Sequence, residues 1–239
     1  MEKQEQILLY NQHLLALIFI ILIVFSVNFF FIHNKINLMI EKTDEKINHL
    51  LEENAELRKE NEEILRRLDT VDEVFNEAEK IKGYIQQKRA VVERYYRART
   101  IPEEEITEVS YGIVFASRLF NVPTSKITAV AWVETQFDRY AVGPCGEHGL
   151  IQVMRPTFNY IKKSMNLNID FNDWRDTLIA GTIYLKDLEK KYCNHKNKEE
   201  LVFAAYNAGP SRAPNVILQR ASSYVQRATR THSELIKKL

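Results

Sequence analysis

Residues 125–154 read SKITAVAWVETQFDRYAVGPCGEHGLIQVM, a pattern that predicts a short helix followed by a glycine-rich loop and sets the class of the fold. At helical spacing, Ile127, Val130 and Glu134 share one face of a helix predicted over 125–136. This face directs the Glu134 carboxyl group into an apolar interior, close to a helix C-terminus whose dipole disfavours negative charge. Both effects favour the protonated acid that general acid catalysis requires. Periodicity alone leaves open a second interpretation, in which Glu134 lies on the surface.

Two later segments contain residue types that suit a ligand. The loop 143–149 has three of the chain's seven glycines, which adopt positive φ at little cost and let the backbone approach a ligand closely. Residues 204–210 read AAYNAGP and end a helix with a Gly-Pro stop. Tyr206 offers an aromatic face to a sugar ring, and Asn207 offers an amide to hydroxyl or acetamide groups. Taken singly, each segment is more often an ordinary turn or helix cap.

The C-terminal part of the chain has the pattern of an all-α domain over 103–239. Pro102 opens a predicted helix with an acidic first turn, and apolar residues then follow at helical spacing. No stretch alternates with a period of two over a useful length, so the fold class is mainly α. Further helices are predicted at 155–165, 174–192, 198–207 and 222–238.

The N-terminal part contains an apolar run, LLALIFIILIVFSVNFFFI, at residues 14–32. As a helix it would span roughly 28 Å, which matches the hydrocarbon core of a bilayer. A buried core helix is rarely apolar on every face over this length, and no A-x-A-like site follows for signal-peptide cleavage. We therefore expect a transmembrane anchor at 14–32 after a short tail, 1–13. The lysines that flank the run would, if anything, place its C-terminal side in the cytoplasm, but they do not settle its orientation.

Between this anchor and the α domain, residues 36–85 show a heptad repeat. Apolar residues recur every seven positions over about six heptads, which is typical of a coiled coil. The first row contains Ile36, Thr43, Leu50, Leu57, Ile64, Val71, Ala78 and Ile85, and the second contains Ile40, Ile47, Asn54, Asn61, Leu68 and Phe75. Asparagines at core positions favour a coiled coil of two parallel helices, so we expect a parallel homodimer. The alternatives are one long helix packed on its own catalytic domain and a stalk exposed to water.

The remaining features exclude several functional classes. Residues 86–102, rich in arginine, are predicted to be a basic connector, although a patch for anionic lipid or polymer is the alternative. The net charge of +1 gives no argument for a nucleic-acid partner. The histidines have no zinc-binding spacing, no phosphate-binding motif occurs, and we expect no metal or organic cofactor. Cys145 and Cys193 are expected to be unpaired, buried thiols, with a disulfide as the alternative.

Taken together, four segments resemble the lytic transglycosylase family with its goose-type-lysozyme-like fold. The family's Glu-Ser-x-Phe corresponds to residues 134–137, which read ETQF, and its Gly-Leu-Met-Gln corresponds to 149–152, which read GLIQ. Its Ala-x-Tyr-Asn-Ala-Gly is matched fully by 204–209, and its Tyr-Val by 224–225. The resemblance covers roughly residues 103–239, and its specificity lies in the combination of the four segments.

This resemblance implies a reaction and a set of roles. Glu134 would protonate the glycosidic oxygen between N-acetylmuramic acid and N-acetylglucosamine in peptidoglycan. It would then accept the proton of the muramic 6-hydroxyl, which closes a 1,6-anhydro ring without water. The substrate supplies the nucleophile, so one carboxylate suffices, in contrast to most glycosidases. The implied substrate-binding residues are Gln152, Met154, Tyr206 and Asn207, with Tyr224 lining the cleft near Glu134.

Three departures from the family pattern leave alternatives open. Thr135 replaces the motif serine and keeps its hydroxyl, whereas Gly143 lacks the hydroxyl of a serine common before the Gly-Leu-Met-Gln segment. Glu147 replaces a small residue and is expected to be surface decoration. Alternatively, Glu147 or Asp138 positions water for a hydrolase on the same fold. A third reading is a membrane-tethered, inactive wall-binding scaffold, although the intact Glu134 argues against it.

The implied substrate also decides the expected location. Peptidoglycan lies outside the cytoplasm, so the catalytic domain is expected in the periplasm and the anchor in the inner membrane. The coiled coil would then be a spacer of roughly 75 Å.

Overall fold

A computed structural model describes residues 2–96 and 98–238 of the chain, with the side chains of 2–14 and 16 outside the description. The described residues form helices and isolated β-bridges but no strand, so the predicted mainly α fold is confirmed. The helices are α1 (Glu2–Tyr96), α2 (Glu103–Phe120), α3 (Thr124–Thr135), α4 (Arg155–Ser164), α5 (Trp174–Lys191), α6 (Lys198–Ala208), α7 (Pro214–Arg220) and α8 (Ser222–Ile236). The chain divides into two compact units, Met1–Arg67 and Leu68–Leu239.

The first unit consists of helix α1 up to Arg67. An 18-residue window of the described helix Leu17–Tyr96 has a mean hydropathy of 2.3, and none of it is buried. By length and composition this helix is able to cross a membrane. The side chains of the predicted tail, 1–13, lie outside the described residues.

Farther along this unit, the apolar members of both heptad rows are exposed. They are Ile36, Ile40, Ile47, Leu50, Leu57 and Ile64. The Asn54 amide donates to the Leu50 carbonyl oxygen, 2.8 Å away, and so bonds to its own helix. The coiled coil and its dimer remain predictions.

The second unit has one hydrophobic core with α3 at its centre. Ile127, Ala129, Val130 and Ala131 of α3 are fully buried. Helix α3 packs most extensively against α8, while α2 and α6 pack on α5, and α6 also contacts α7 and α8. This arrangement is what brings the C-terminal end of α3 next to side chains of α6 and α8.

The last turns of α1 belong to this same core. Ala78, Ile81 and Ile85 are fully buried, and Val92 is nearly so. Residues 68–102, predicted to be the end of the coiled coil and a connector, therefore lie in one compact unit with the α domain predicted from 103. The heptad row reaches this core because residues seven apart lie on one helix face, whichever partner covers that face.

Most predicted helices agree with the observed ones. Helices α3 to α6 and α8 begin and end within two residues of their predicted ranges, whereas α7 was not predicted. With seven residues, α7 is too short to show helical periodicity. The prediction that both thiols are buried is wrong: Cys145 and Cys193 are free and exposed, because one lies in the glycine-rich loop and the other follows the end of α5.

Candidate active site

Glu134 lies in the last turn of α3, one residue before the helix ends at Thr135. The buried face of Ile127 and Val130 continues to Glu134, whose side chain is half-buried. The local pattern of apolar residues thus carries a carboxyl group to the edge of the core.

The backbone after Glu134 takes a conformation that is uncommon for residues other than glycine. Gln136 and Phe137 both have positive φ, 54° and 70°. Several contacts hold this cap in place: Phe137 is buried, and the Thr135 hydroxyl donates to the Leu150 carbonyl oxygen at 2.8 Å. The Arg89 guanidinium donates to the Gln136 carbonyl oxygen at 3.1 Å. Strain of this kind persists where the surrounding structure fixes it, as it often does at functional sites.

The environment of Glu134 favours its protonated form. The pKa of this carboxyl group is raised to about 7, chiefly by burial and to a smaller extent by the negative charge of Glu147. A hydrogen bond from the Tyr224 hydroxyl to Glu134 Oε1, 2.8 Å long, and the charge of Arg227 lower the same pKa. A pKa about 7 leaves the group protonated in a substantial fraction of molecules near neutral pH, which suits an acid that must later act as a base.

Tyr206 is fixed beside this carboxyl group by the backbone. Its hydroxyl donates to the Ile151 carbonyl oxygen at 2.8 Å, and its ring lies 5.6 Å from that of Tyr184. Burial raises the pKa of Tyr206 well above its usual value, and the charge of Glu134 acts in the same direction. Gly181 of α5 makes room for this packing, because a β-carbon there would collide with Ile151, Val153 and the Tyr206 hydroxyl.

Gln152 is anchored through its amide nitrogen. Nε2 donates to the carbonyl oxygens of Ala141 and Gly149, at 3.0 and 2.9 Å, which leaves Oε1 as the free end of the side chain. The residue has a positive φ of 51°, and its backbone belongs to the turn that follows the glycine-rich loop.

A cavity of about 310 Å³ brings together four of the predicted substrate-binding residues. Its lining includes Gln152, Met154, Tyr206 and Asn207. Glu134 and Tyr224, which are joined by a hydrogen bond, lie beside this cavity and are not part of its lining. Tyr206 links the two groups, because it lines the cavity and also lies within the electrostatic influence of Glu134.

The two alternative carboxylates have different surroundings. Asp138 forms an ion pair with Arg99 at 3.0 Å and accepts a hydrogen bond from the Tyr140 amide. Glu147 is half-buried, and its charge acts on Glu134. Its carboxylate lies next to Gly143, close to Gln152 Oε1, so its loop directs it to the side of the domain where the predicted site residues lie.

Sequence reasoning missed the contribution of α1 to this site. Arg89 is buried and bonds to the cap of α3, while Lys88 forms an ion pair of 2.8 Å with Glu234 of α8. The end of α1 thus contacts both α3, which contains Glu134, and α8, which contains Tyr224. The available signal was the spacing of Ala78, Ile81, Ile85 and Val92, which marks one buried helix face through the basic segment.

Part of the chain is similar to known proteins. Residues 113–227 match the family model of the Transglycosylase SLT domain. Membrane-bound lytic murein transglycosylase C of Haemophilus ducreyi is 26% identical over 130 residues, a match that covers 50% of this chain. The chain spans only 35% of that relative's length. The predicted resemblance to lytic transglycosylases is confirmed.

Two solved structures are similar over part of the chain. An inactive mutant of the lytic transglycosylase Slt from Pseudomonas aeruginosa gives a TM-score of 0.44 at 20% identity, covering 51% of this chain and 22% of its own. The 70 kDa soluble lytic transglycosylase from Escherichia coli gives a TM-score of 0.43 at 18% identity. That match covers 66% of this chain and 27% of the Escherichia coli chain.

Proposed function

We propose that this protein is a peptidoglycan lytic transglycosylase in which Glu134 acts first as acid and then as base. The observation that carries the proposal is the half-buried Glu134, with a pKa about 7 and a hydrogen bond from Tyr224. The match of residues 113–227 to the Transglycosylase SLT domain supports the substrate class.

In this reaction Glu134 gives its proton to the oxygen that leaves from carbon 1 of N-acetylmuramic acid. The 6-hydroxyl oxygen of the same sugar forms the new bond to carbon 1, and its proton passes to the Glu134 carboxylate. The enzyme thus ends in its starting protonation state, and no water is consumed. Between the two proton transfers Glu134 is a charged carboxylate, and the hydrogen bond from the Tyr224 hydroxyl stabilises that charge.

Gln152, Met154, Tyr206 and Asn207 are proposed to bind the glycan in the cavity beside Glu134. The free Oε1 of Gln152 accepts from a sugar hydroxyl or amide, and Asn207 supplies both a donor and an acceptor. Tyr206 and Met154 provide apolar surface for the sugar ring.

A lysozyme-type hydrolase is the second candidate, and Glu147 is the observation that favours it. Its carboxylate lies close enough to influence Glu134, whereas Asp138 is held by Arg99. The product separates the two reactions, because hydrolysis leaves a reducing end that is heavier by one water than the anhydro end.

The test is digestion of purified sacculi by the full chain in detergent, followed by mass spectrometry of the released muropeptides. Anhydro ends support the proposal, and reducing ends contradict it; binding without products would indicate a wall-binding scaffold.

We propose further that residues 14–32 anchor the protein in the inner membrane with the second unit in the periplasm. The exposed apolar helix supports the anchor, and the substrate class supports the orientation. Protease added to intact spheroplasts is expected to remove the C-terminal region. Full protection would contradict the orientation.

The exposed heptad rows support a parallel homodimer through α1. In addition to the apolar residues of the first unit, Leu68, Val71 and Phe75 are exposed. Ala78 and Ile85 are buried in the core of the second unit, so the proposed coiled coil ends near Phe75. Analytical ultracentrifugation of the full chain in density-matched detergent is expected to give the mass of a dimer, and a monomer would contradict it.

A further inference from the structure

The glycine-rich loop folds Glu147 back over Gly143. The Gly143 amide donates to the Glu147 carbonyl oxygen, and the Cys145 amide donates to Glu147 Oε2, both at 2.9 Å. Gly146, with φ at +80°, supplies the left-handed residue that this turn requires. A β-carbon at position 143 would collide with the Glu147 carboxylate and with Gln152 Oε1. The carboxylate therefore occupies the space that any larger residue at 143 would fill.

Two acceptor groups meet at this place. The amide hydrogens of Gln152 are donated to the carbonyl oxygens of Ala141 and Gly149, so only its Oε1 faces the Glu147 carboxylate. A carboxylate and an amide oxygen cannot hydrogen-bond to each other, and neither supplies a proton. A donor placed between them would satisfy both, which makes the pair a binding point for an O–H or N–H group.

The same carboxylate belongs to the electrostatic environment of Glu134. The other groups that act on Glu134 or respond to its charge are Tyr224 and Arg227 of α8 and Tyr206 of α6. Tyr224 and Arg227 favour the charged form of Glu134, whereas the charge of Glu147 favours the protonated form. Glu147 thus opposes the two groups on α8.

We propose, on the basis of the proposed function, that Glu147 is a positioning residue of the cleft. Its carboxylate and Gln152 Oε1 receive one hydroxyl or amide donor of the glycan next to the scissile bond. Its negative charge also adds to burial, the larger cause, in favouring the protonated form of Glu134.

The test compares the full chain in detergent with Glu147→Gln, Glu147→Asp and the control Glu104→Gln. Glu104 is exposed in the first turn of α2 and is not among the charges that act on Glu134. Two quantities are measured: the pKa of Glu134, by ¹³C NMR of its carboxyl carbon, and KM with kcat on soluble glycan strands. The NMR titration needs no turnover, so it decides the electrostatic part even if the proposed activity fails.

Glu147→Gln is expected to lower the pKa of Glu134, because it removes a negative charge, and to raise KM roughly fivefold through the weaker acceptor. Glu147→Asp keeps the charge but shortens its reach, so it is expected to raise KM with little change in the Glu134 pKa. Glu104→Gln is expected to change neither quantity. An unchanged Glu134 pKa and KM in Glu147→Gln would overturn the proposal. Reducing-end products that disappear in Glu147→Gln would also overturn it, in favour of a hydrolytic role.

Discussion

The hydroxyl of Tyr224 lies 2.8 Å from Oε1 of Glu134, and this hydrogen bond joins the first turn of α8 to the last turn of α3. Burial makes the charged carboxylate costly, and the bond from Tyr224 partly offsets that cost. The two opposing effects place the pKa of Glu134 at about 7, where the group exchanges a proton easily in both directions.

Tyr224→Phe is predicted to raise the pKa of Glu134, because the hydrogen bond that stabilises the charged form is lost. The base step needs that charged form, so we expect kcat to fall by roughly tenfold, the value of one hydrogen bond to a charged group. The pH profile of kcat/KM on soluble glycan strands should show its upper limb at higher pH. Tyr160→Phe, which removes an exposed hydroxyl, is the matched control and should leave the profile unchanged. An upper limb unchanged in Tyr224→Phe would contradict the assigned role.

The raised pKa of Glu134 also predicts how stability depends on pH. Between the unfolded value of 4.5 and the folded value of about 7, the folded state binds more protons, so stability falls as pH rises through this window. Glu134→Gln removes this dependence. We expect the variant to gain up to about 3 kcal/mol over the wild type between pH 4 and pH 8. Chemical unfolding of both proteins at these two pH values measures the difference. Equal pH slopes would contradict a raised pKa.

Arg89→Ala is predicted to destabilise the second unit and to reduce activity. The change leaves the Gln136 and Arg99 carbonyl oxygens without their donor and the Glu93 carboxylate without its ion pair. Removing one partner of a buried network of this kind costs on the order of 3 kcal/mol. Arg94→Ala, on the exposed side of the same helix, is the control. Thermal unfolding of both variants provides the comparison. A loss for Arg89→Ala no larger than that for Arg94→Ala would show that the end of α1 does not support the catalytic helix.

Two glycine substitutions are predicted to have opposite effects. Gly181→Ala places a β-carbon against the Tyr206 hydroxyl and Val153, so it should displace Tyr206, raise KM and lower stability by about 1–3 kcal/mol. Gly83→Ala lies in α1 with no atom near the added carbon, so it should stabilise the helix by about 0.5–1 kcal/mol. Thermal unfolding and KM on glycan strands test the pair. A normal KM in Gly181→Ala would argue against Tyr206 as a glycan-binding residue.

The parts of the site that the sequence predicts are those encoded locally. The burial of Glu134 follows from its spacing to Ile127 and Val130, and Tyr206 with Asn207 follows from one helix end. The pairing of Tyr224 with Glu134 was expected only in outline, because its geometry depends on how α8 packs on α3.

The contributions of Arg89 and Glu147 depend on contacts between segments that are distant in the chain or folded by a loop. A buried arginine resembles an exposed one in sequence, so the basic segment gave no sign that Arg89 bonds to the cap of α3. For Glu147, the direction of the side chain depends on the φ angle of Gly146 and on the space above Gly143, and neither can be read from residue types. The heptad pattern also does not show where a row stops facing a second chain and begins to face its own domain.

The most direct test of Glu134 as acid and base compares the wild type with Glu134→Gln on purified sacculi, with the full chain in detergent. The variant keeps the size and the Tyr224 contact of the side chain but cannot donate or accept the catalytic proton. We predict that anhydromuropeptides appear with the wild type and vanish with the variant, which still binds sacculi. Anhydromuropeptides released by Glu134→Gln at the wild-type rate would contradict the assignment of Glu134 as the acid and base.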